Sequence, residues 1–147
     1  MTIRSNTRDS LSSALCDQTA AQDLLKRLGV TQVAFTVGAE STNAITVNIQ
    51  LKDENGDEIA VPTGVVVCLF ADAAGAGLNA TNYTTVAGGT DGWAIELVAD
   101  KVLLCGSEAD GDIDLVITLS SGGATSYVGV LLADGSWAIS DAVTHAA

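Results

Sequence analysis

Ala44-Ile-Thr-Val-Asn-Ile-Gln-Leu-Lys52 is the stretch that decides the fold class of this chain. Ile45, Val47, Ile49 and Leu51 alternate with Thr46, Asn48, Gln50 and Lys52, a period of two that fits a strand with one core face and one wet face. Asp53-Glu54-Asn55-Gly56-Asp57-Glu58 follows at once. Asn55-Gly56 is a turn pair suited to positive φ, so a tight hairpin is expected there.

Working outward, the same alternation recurs. It places Val33, Phe35 and Val37 inward in one strand, and Ile113, Leu115, Ile117 and Leu119 inward in another. Trp93, Ile95 and Leu97 are read as inward too, with Trp93 and Trp137 as core anchors at the starts of their strands. Val65 to Phe70 is apolar on both faces and belongs at the centre of a sheet. Tyr127 to Leu132, Asp134-Gly135 and Trp137 to Ile139 read as a closing hairpin. Eight or nine short strands separated by Gly, Asp and Asn turns indicate an all-β antiparallel β-sandwich or jelly roll. No crossover helices are available for a parallel α/β sheet.

Residues before Val30 read differently. Ser12 to Leu28 is the one helix candidate: Thr19 and Gln22 have capping-box spacing, Leu24, Leu25 and Leu28 make an apolar stripe, and Gly29 stands at the stop. The expected organisation is an N-terminal arm with a short helix over residues 1–29 and a β-sandwich domain over 30–147. Charge divides at the same place. Arg4, Arg8, Lys26 and Arg27 face Asp9, Asp17 and Asp23, a net charge of +1, whereas Lys52 and Lys101 face fifteen Asp and Glu after Leu28, a net charge of −13. A body so acidic argues against nucleic acid and anionic membrane as partners. The four arm cations are the candidate contact residues for an acidic protein surface.

At 147 residues the chain is one domain's worth, enough to bury roughly 68–70% of its unfolded surface without metal or disulfide. Its apolar runs are too short for a membrane span. The N-terminus has no apolar h-region, so synthesis and residence in the cytoplasm are expected. Cys16, Cys68 and Cys105 fit neither a disulfide framework nor a zinc ribbon, and Cys68 and Cys105 read as buried free thiols.

Chemistry is hard to find in these residues. Gly75-Ala-Gly77-Leu-Asn-Ala80 has dinucleotide-like glycine spacing, but no helix follows to hold a phosphate. Glu108-Ala-Asp110-Gly-Asp112-Ile-Asp114 is a dense carboxylate cluster whose spacing is wrong for an EF-hand, and turn chemistry accounts for it. Asn79-Ala-Thr81 and Asn82-Tyr-Thr84 read as a polar loop. The one histidine, His145, is the third residue from the end, where order is least expected. No catalytic residue, metal site or cofactor is expected, and the chain does not read as an enzyme.

Ile45 to Ala60 (ITVNIQLKDENGDEIA), Gly89-Thr-Asp-Gly92 leading into Ile95 to Lys101, Ser107 to Leu115, and Tyr127 to Ala146 (YVGVLLADGSWAISDAVTHA) together resemble the small cement or decoration proteins of tailed-bacteriophage heads. The resemblance implies a jelly-roll-like domain on the outer capsid surface of the virion, made in the host cytoplasm. Its partner would be the major capsid protein, with neighbouring copies clamped together and the cement protein itself a homo-oligomer, dimer or trimer. A receptor- or carbohydrate-binding module of a phage fibre or surface adhesin is the alternative, with Ala73 to Asn82 as its contact loop.

Overall fold

The computed structural model describes residues 29–147. These form nine strands: β1 (Gln32–Val37), β2 (Ala44–Lys52), β3 (Gly64–Phe70), β4 (Thr85–Gly88), β5 (Trp93–Val98), β6 (Val102–Gly106), β7 (Asp112–Thr118), β8 (Ala124–Leu131) and β9 (Trp137–His145). A four-stranded sheet runs β1-β2-β7-β4 and a five-stranded sheet runs β5-β6-β3-β8-β9. Every pairing is antiparallel. The chain changes sheets between β2 and β3, β3 and β4, β4 and β5, β6 and β7, and β7 and β8. The result is an antiparallel β-sandwich of jelly-roll type, as the alternation implies. The arm helix expected over Ser12–Leu28 lies outside the described residues.

The core is what the strand periodicity requires. Ile45, Val47, Ile49 and Leu51 of β2 and Ile113, Leu115 and Ile117 of β7 are fully buried from one side. Val67 and Leu69 of β3, Leu103 of β6, and Val128 and Val130 of β8 meet them from the other. Leu51, Ile49 and Val47 pair with Val33, Phe35 and Val37, which sets the inward face of β1 as read from sequence. Val65 to Phe70 is central, flanked by β6 and β8.

The reversal at Asn55-Gly56 is present but wider than a two-residue hairpin, and a second local expectation fails. The two-residue hairpin is made by Thr42-Asn43 between β1 and β2. There Ser41 and Ala44 exchange both backbone hydrogen bonds, at 2.8 and 3.0 Å, and φ is +51° and +65°. Asn55-Gly56 turns the chain differently. Gly56 alone has positive φ, at +83°, while Asp53 Oδ1 accepts from the amides of Asn55 at 2.8 Å and Asp57 at 3.1 Å. That turn first brings the chain back along the end of β2, where Lys52 bridges Glu58 antiparallel and the Ile59 amide donates to the Leu51 carbonyl at 3.1 Å, before it crosses to β3.

His145 is the second surprise. It is a buried residue of β9, and its Nε2 lies 3.1 Å from the Ile117 carbonyl oxygen. Its ring centroid is 5.7 Å from that of Tyr83. The chain end is anchored because β9 lies against β1 of the other sheet. The Ala146 amide also donates to Glu40 Oε2 at 2.8 Å. Burial pushes the Tyr83 phenol's pKa up, and the nearby Ser126 hydroxyl partly offsets this.

Candidate functional site

The two sheets differ in what they turn outward. On the four-stranded sheet the outer positions are mostly polar: Thr46, Asn48 and Gln50 on β2 pair with Val116, Asp114 and Asp112 on β7. The outer positions of the five-stranded sheet are mostly apolar, with the Thr125–Thr144 pair of β8 and β9 as a polar exception. Directly opposed residues of antiparallel strands share a face. Trp93 opposite Gly106 and Ile95 opposite Leu104 therefore lie with Val66, Cys68, Phe70, Tyr127, Leu131, Trp137 and Ile139 on the side away from the core. None of these side chains is charged.

Position along the sheet decides what covers this face. At one end Phe70 meets Trp137 edge-on, with centroids 5.0 Å apart. The stretch Ala73 to Asn82 folds over the same end. Leu78 bridges back to Phe70, and Gly75 sits so close to Ile139 and Phe70 that a β-carbon there would lie 2.8 Å from Ile139 Cδ1. Asp72 Oδ1 holds this loop by accepting from the amides of Ala74 and Ala76. Asn79 is buried beneath it, donating to the Thr125 carbonyl at 2.8 Å and accepting from the Thr81 amide at 2.7 Å. The glycine-rich stretch is thus a fitted cover, and Asn79 is a structural anchor rather than part of an exposed polar loop.

The β5 rim is uncovered. Trp93 is 46% exposed, Ile95 57%, Leu97 59% and Val98 49%. Trp93, Ile95 and Leu97 were expected inward, and the structure reverses that. Ala94 and Glu96 pair with the core-facing Cys105 and Leu103, so Trp93 and Ile95 point out. Alternation fixes the period of a strand but not which half faces in. Leu97 is the extra residue of a bulge between Glu96 and Val98. As an edge strand, β5 is paired on β6 alone. An exposed apolar edge of this kind is a template for another protein's strand or apolar surface.

A second cluster lies on the polar sheet. Carboxylate oxygens of Asp91, Asp112 and Asp114 come within 4.8 Å of one another. The Glu108 to Asp114 motif supplied two of them, and sequence spacing gave no sign of Asp91, which arrives from the β4–β5 loop. The Asp91 carboxyl is held above the usual carboxylate range, first by desolvation and then by the charges of Asp114, Asp112, Glu108 and Asp110. A calcium ion takes six to eight oxygens. Here Asn48 Nδ2 donates to Asp112 Oδ1 at 2.6 Å and to Asp114 Oδ1 at 3.1 Å. An amide donor already bridges the two strand carboxylates, which fits their reading as turn and strand residues.

The remaining chemistry-bearing side chains are buried, Cys105 in the core and Cys68 on the covered part of the outer face. Cys68 and Cys105 are buried free thiols. Burial pushes Cys68 up and Cys105 to about 12, which leaves Cys105 protonated and unreactive at neutral pH. His145 is buried, with its Nε2 3.1 Å from the Ile117 carbonyl oxygen. Arg4, Arg8, Lys26 and Arg27, the contact candidates of the arm, lie outside the described residues. Among those residues no helix is long and apolar enough to cross a membrane.

No protein family and no curated protein matches this chain. Among solved structures, it is similar to a cohesin module from a Clostridium perfringens family 33 glycoside hydrolase. The identity is 14% over 79% of this chain and 92% of that one, with a TM-score of 0.37.

Proposed function

We propose that this chain is a non-catalytic attachment module that docks through the β5 rim onto the outer surface of a tailed-phage head. There it clamps neighbouring major capsid proteins, in the manner of the cement and decoration proteins it resembles. The carrying observation is the uncharged outer face of the five-stranded sheet, which ends in an exposed apolar strand edge at Trp93, Ile95 and Leu97. Burial of the histidine and of Cys68 and Cys105 supports a role without covalent chemistry.

Magnitudes favour an array. Covering what remains exposed of Trp93, Ile95, Leu97 and Val98 would contribute about 4–5 kcal/mol. That only matches the low end of the roughly 4–15 kcal/mol that association costs. Main-chain hydrogen bonds from an added strand raise the total without demanding particular side chains. Repetition on a symmetric shell, as a dimer or trimer bridging several subunits, supplies the rest through avidity.

Heads assembled without the protein test this reading. They are expected to form with normal shape, to release DNA at lower temperature than complete heads, and to recover when purified protein is added back. Equal robustness with and without it, together with binding to host cells or glycans, would replace this reading with the receptor- or carbohydrate-binding alternative.

A further inference from the structure

We propose that the partner segment accepted by the β5 rim is apolar at its centre and carries an arginine at the end that meets Trp93. This rests on the rim being the docking site and adds the chemistry of what docks there.

The shape of the rim sets the first requirement. One face of the Trp93 indole lies on Gly106, and the ring is only half-buried, so its other face is open. Ile95 and Leu97 continue the apolar strip along β5. Of the aromatic side chains, an exposed indole face attracts cations most strongly, and arginine is its commoner partner. A guanidinium stacks plane on plane there and still turns its N–H edge to a carboxylate, which a tetrahedral ammonium does not do.

Carboxylates are gathered at the same end of the strand. Asp91 stands two residues before Trp93, and Glu108 two residues after Gly106. The loops that carry them are tied together. The Asp91 carbonyl accepts from the Asp114 amide at 2.8 Å, and the Asp112 carbonyl from the Glu108 amide at 3.1 Å. A β-carbon on Gly92 would lie 2.4 Å from the Gly106 carbonyl oxygen. The charges that act on Asp91, from Asp114, Asp112, Glu108 and Asp110, are all negative. Lys52 and Lys101 are the only Lys or Arg among the described residues, and Lys101 Nζ donates to the Thr81 carbonyl at 3.0 Å.

Charge therefore selects the occupant. Beyond the other end of β5, Glu96 Oε1 accepts from the Asp100 amide at 3.1 Å, so acidic groups bracket the apolar strip. Two β5 strands paired antiparallel about a two-fold axis would set the Trp93 end of one against the Glu96 and Asp100 end of the other, acidic against acidic. A cationic flank reverses the sign of that interaction and fixes the direction in which the segment lies.

Titration of the full chain with synthetic peptides tests the proposal. The peptides share an alternating valine and threonine centre and carry either arginine or glutamate at both ends. At about 20 mM salt the arginine peptide is expected to bind at least tenfold more tightly, and the gap should shrink severalfold at about 0.5 M salt. Trp93→Ala, and Glu108→Gln with Asp110→Asn, should each weaken the arginine peptide at least fivefold. Asp141→Asn, on the far edge strand β9, should leave it within twofold. Equal affinity for the two peptides, binding of neither, or an equal loss with Asp141→Asn would overturn the proposal. So would self-association of the unaltered chain that Ile95→Glu with Leu97→Glu abolishes, which would assign the rim to a second copy. Stripped heads separate this inference from the reading beneath it. Parental pelleting by the Glu108→Gln, Asp110→Asn variant, while Ile95→Glu with Leu97→Glu stays in the supernatant, would remove the cationic occupant and keep the rim. Parental pelleting by both variants would remove the rim itself.

Discussion

The indole of Trp93 occupies the space where a β-carbon of Gly106 would stand. The two residues are directly opposed across β5 and β6, so glycine on one strand is what lets a large ring lie flat over the other. Position 106 needs no special φ, so the penalty for alanine there comes from the ring alone. Gly106→Ala is expected to displace Trp93 and to cost about 1–3 kcal/mol, with a red shift of tryptophan emission. Gly77→Ala is the control, since nothing lies within 4 Å of a β-carbon there. Equal melting temperatures for the two variants would contradict this packing.

Ile49 is fully buried and pairs with Phe35 and Ile113 across two strands. Ile49→Asp places an unpaired carboxylate between the sheets and is expected to cost several kcal/mol, a large share of a domain's stability. Thr46→Asp, on the exposed face of the same strand, should change stability by less than about 0.5 kcal/mol. Thermal melting separates the two, and similar midpoints would overturn the register.

Thr42 holds φ at +51°, a region that β-branched residues enter at a cost of roughly 1–2 kcal/mol. Asn tolerates it better. Thr42→Asn is expected to stabilise the domain by about 0.5–1 kcal/mol in urea unfolding with no change in slope. A destabilised variant would show that the Thr42 side chain contributes something its backbone conformation does not reveal.

Asp91 carries the pH dependence of the polar sheet. Its native pKa is raised above the ordinary value of 3.8, so the folded protein binds that proton more tightly than the unfolded chain does. Stability from this group therefore falls as pH rises from 3.8 through the raised value, and the loss persists at neutral pH. Asp91→Asn is expected to melt higher than the parent at pH 7 and level with it once the parent's Asp91 is protonated in both the folded and the unfolded chain. A difference of the same size at both extremes would rule out the charge cluster as its cause.

The sandwich was legible in the sequence because β2 and β7 each have one wet and one dry face. Val65 to Phe70 was legible as central because both of its faces are apolar. The exposed β5 rim was misread for the same reason: β5 alternates as cleanly as β2, and nothing local reveals that Ala94 and Glu96, not Trp93 and Ile95, pair with core residues. Only the partner strand sets that sign. Asp91 was invisible as a neighbour of Asp112 and Asp114 because the β4–β5 loop brings it there through tertiary pairing. His145 was misplaced because closeness to a chain end says nothing about whether the last strand is covered.

The central claim is attachment through the β5 rim, and co-sedimentation with heads stripped of this protein tests it most directly. Ile95→Glu with Leu97→Glu alters two side chains that are already more than half exposed, so the melting temperature should stay within about 2 °C of the parent. The account predicts that the parent pellets with the heads and that this variant stays in the supernatant, a loss of at least tenfold in apparent affinity. Unchanged pelleting by a folded Ile95→Glu, Leu97→Glu variant would contradict it.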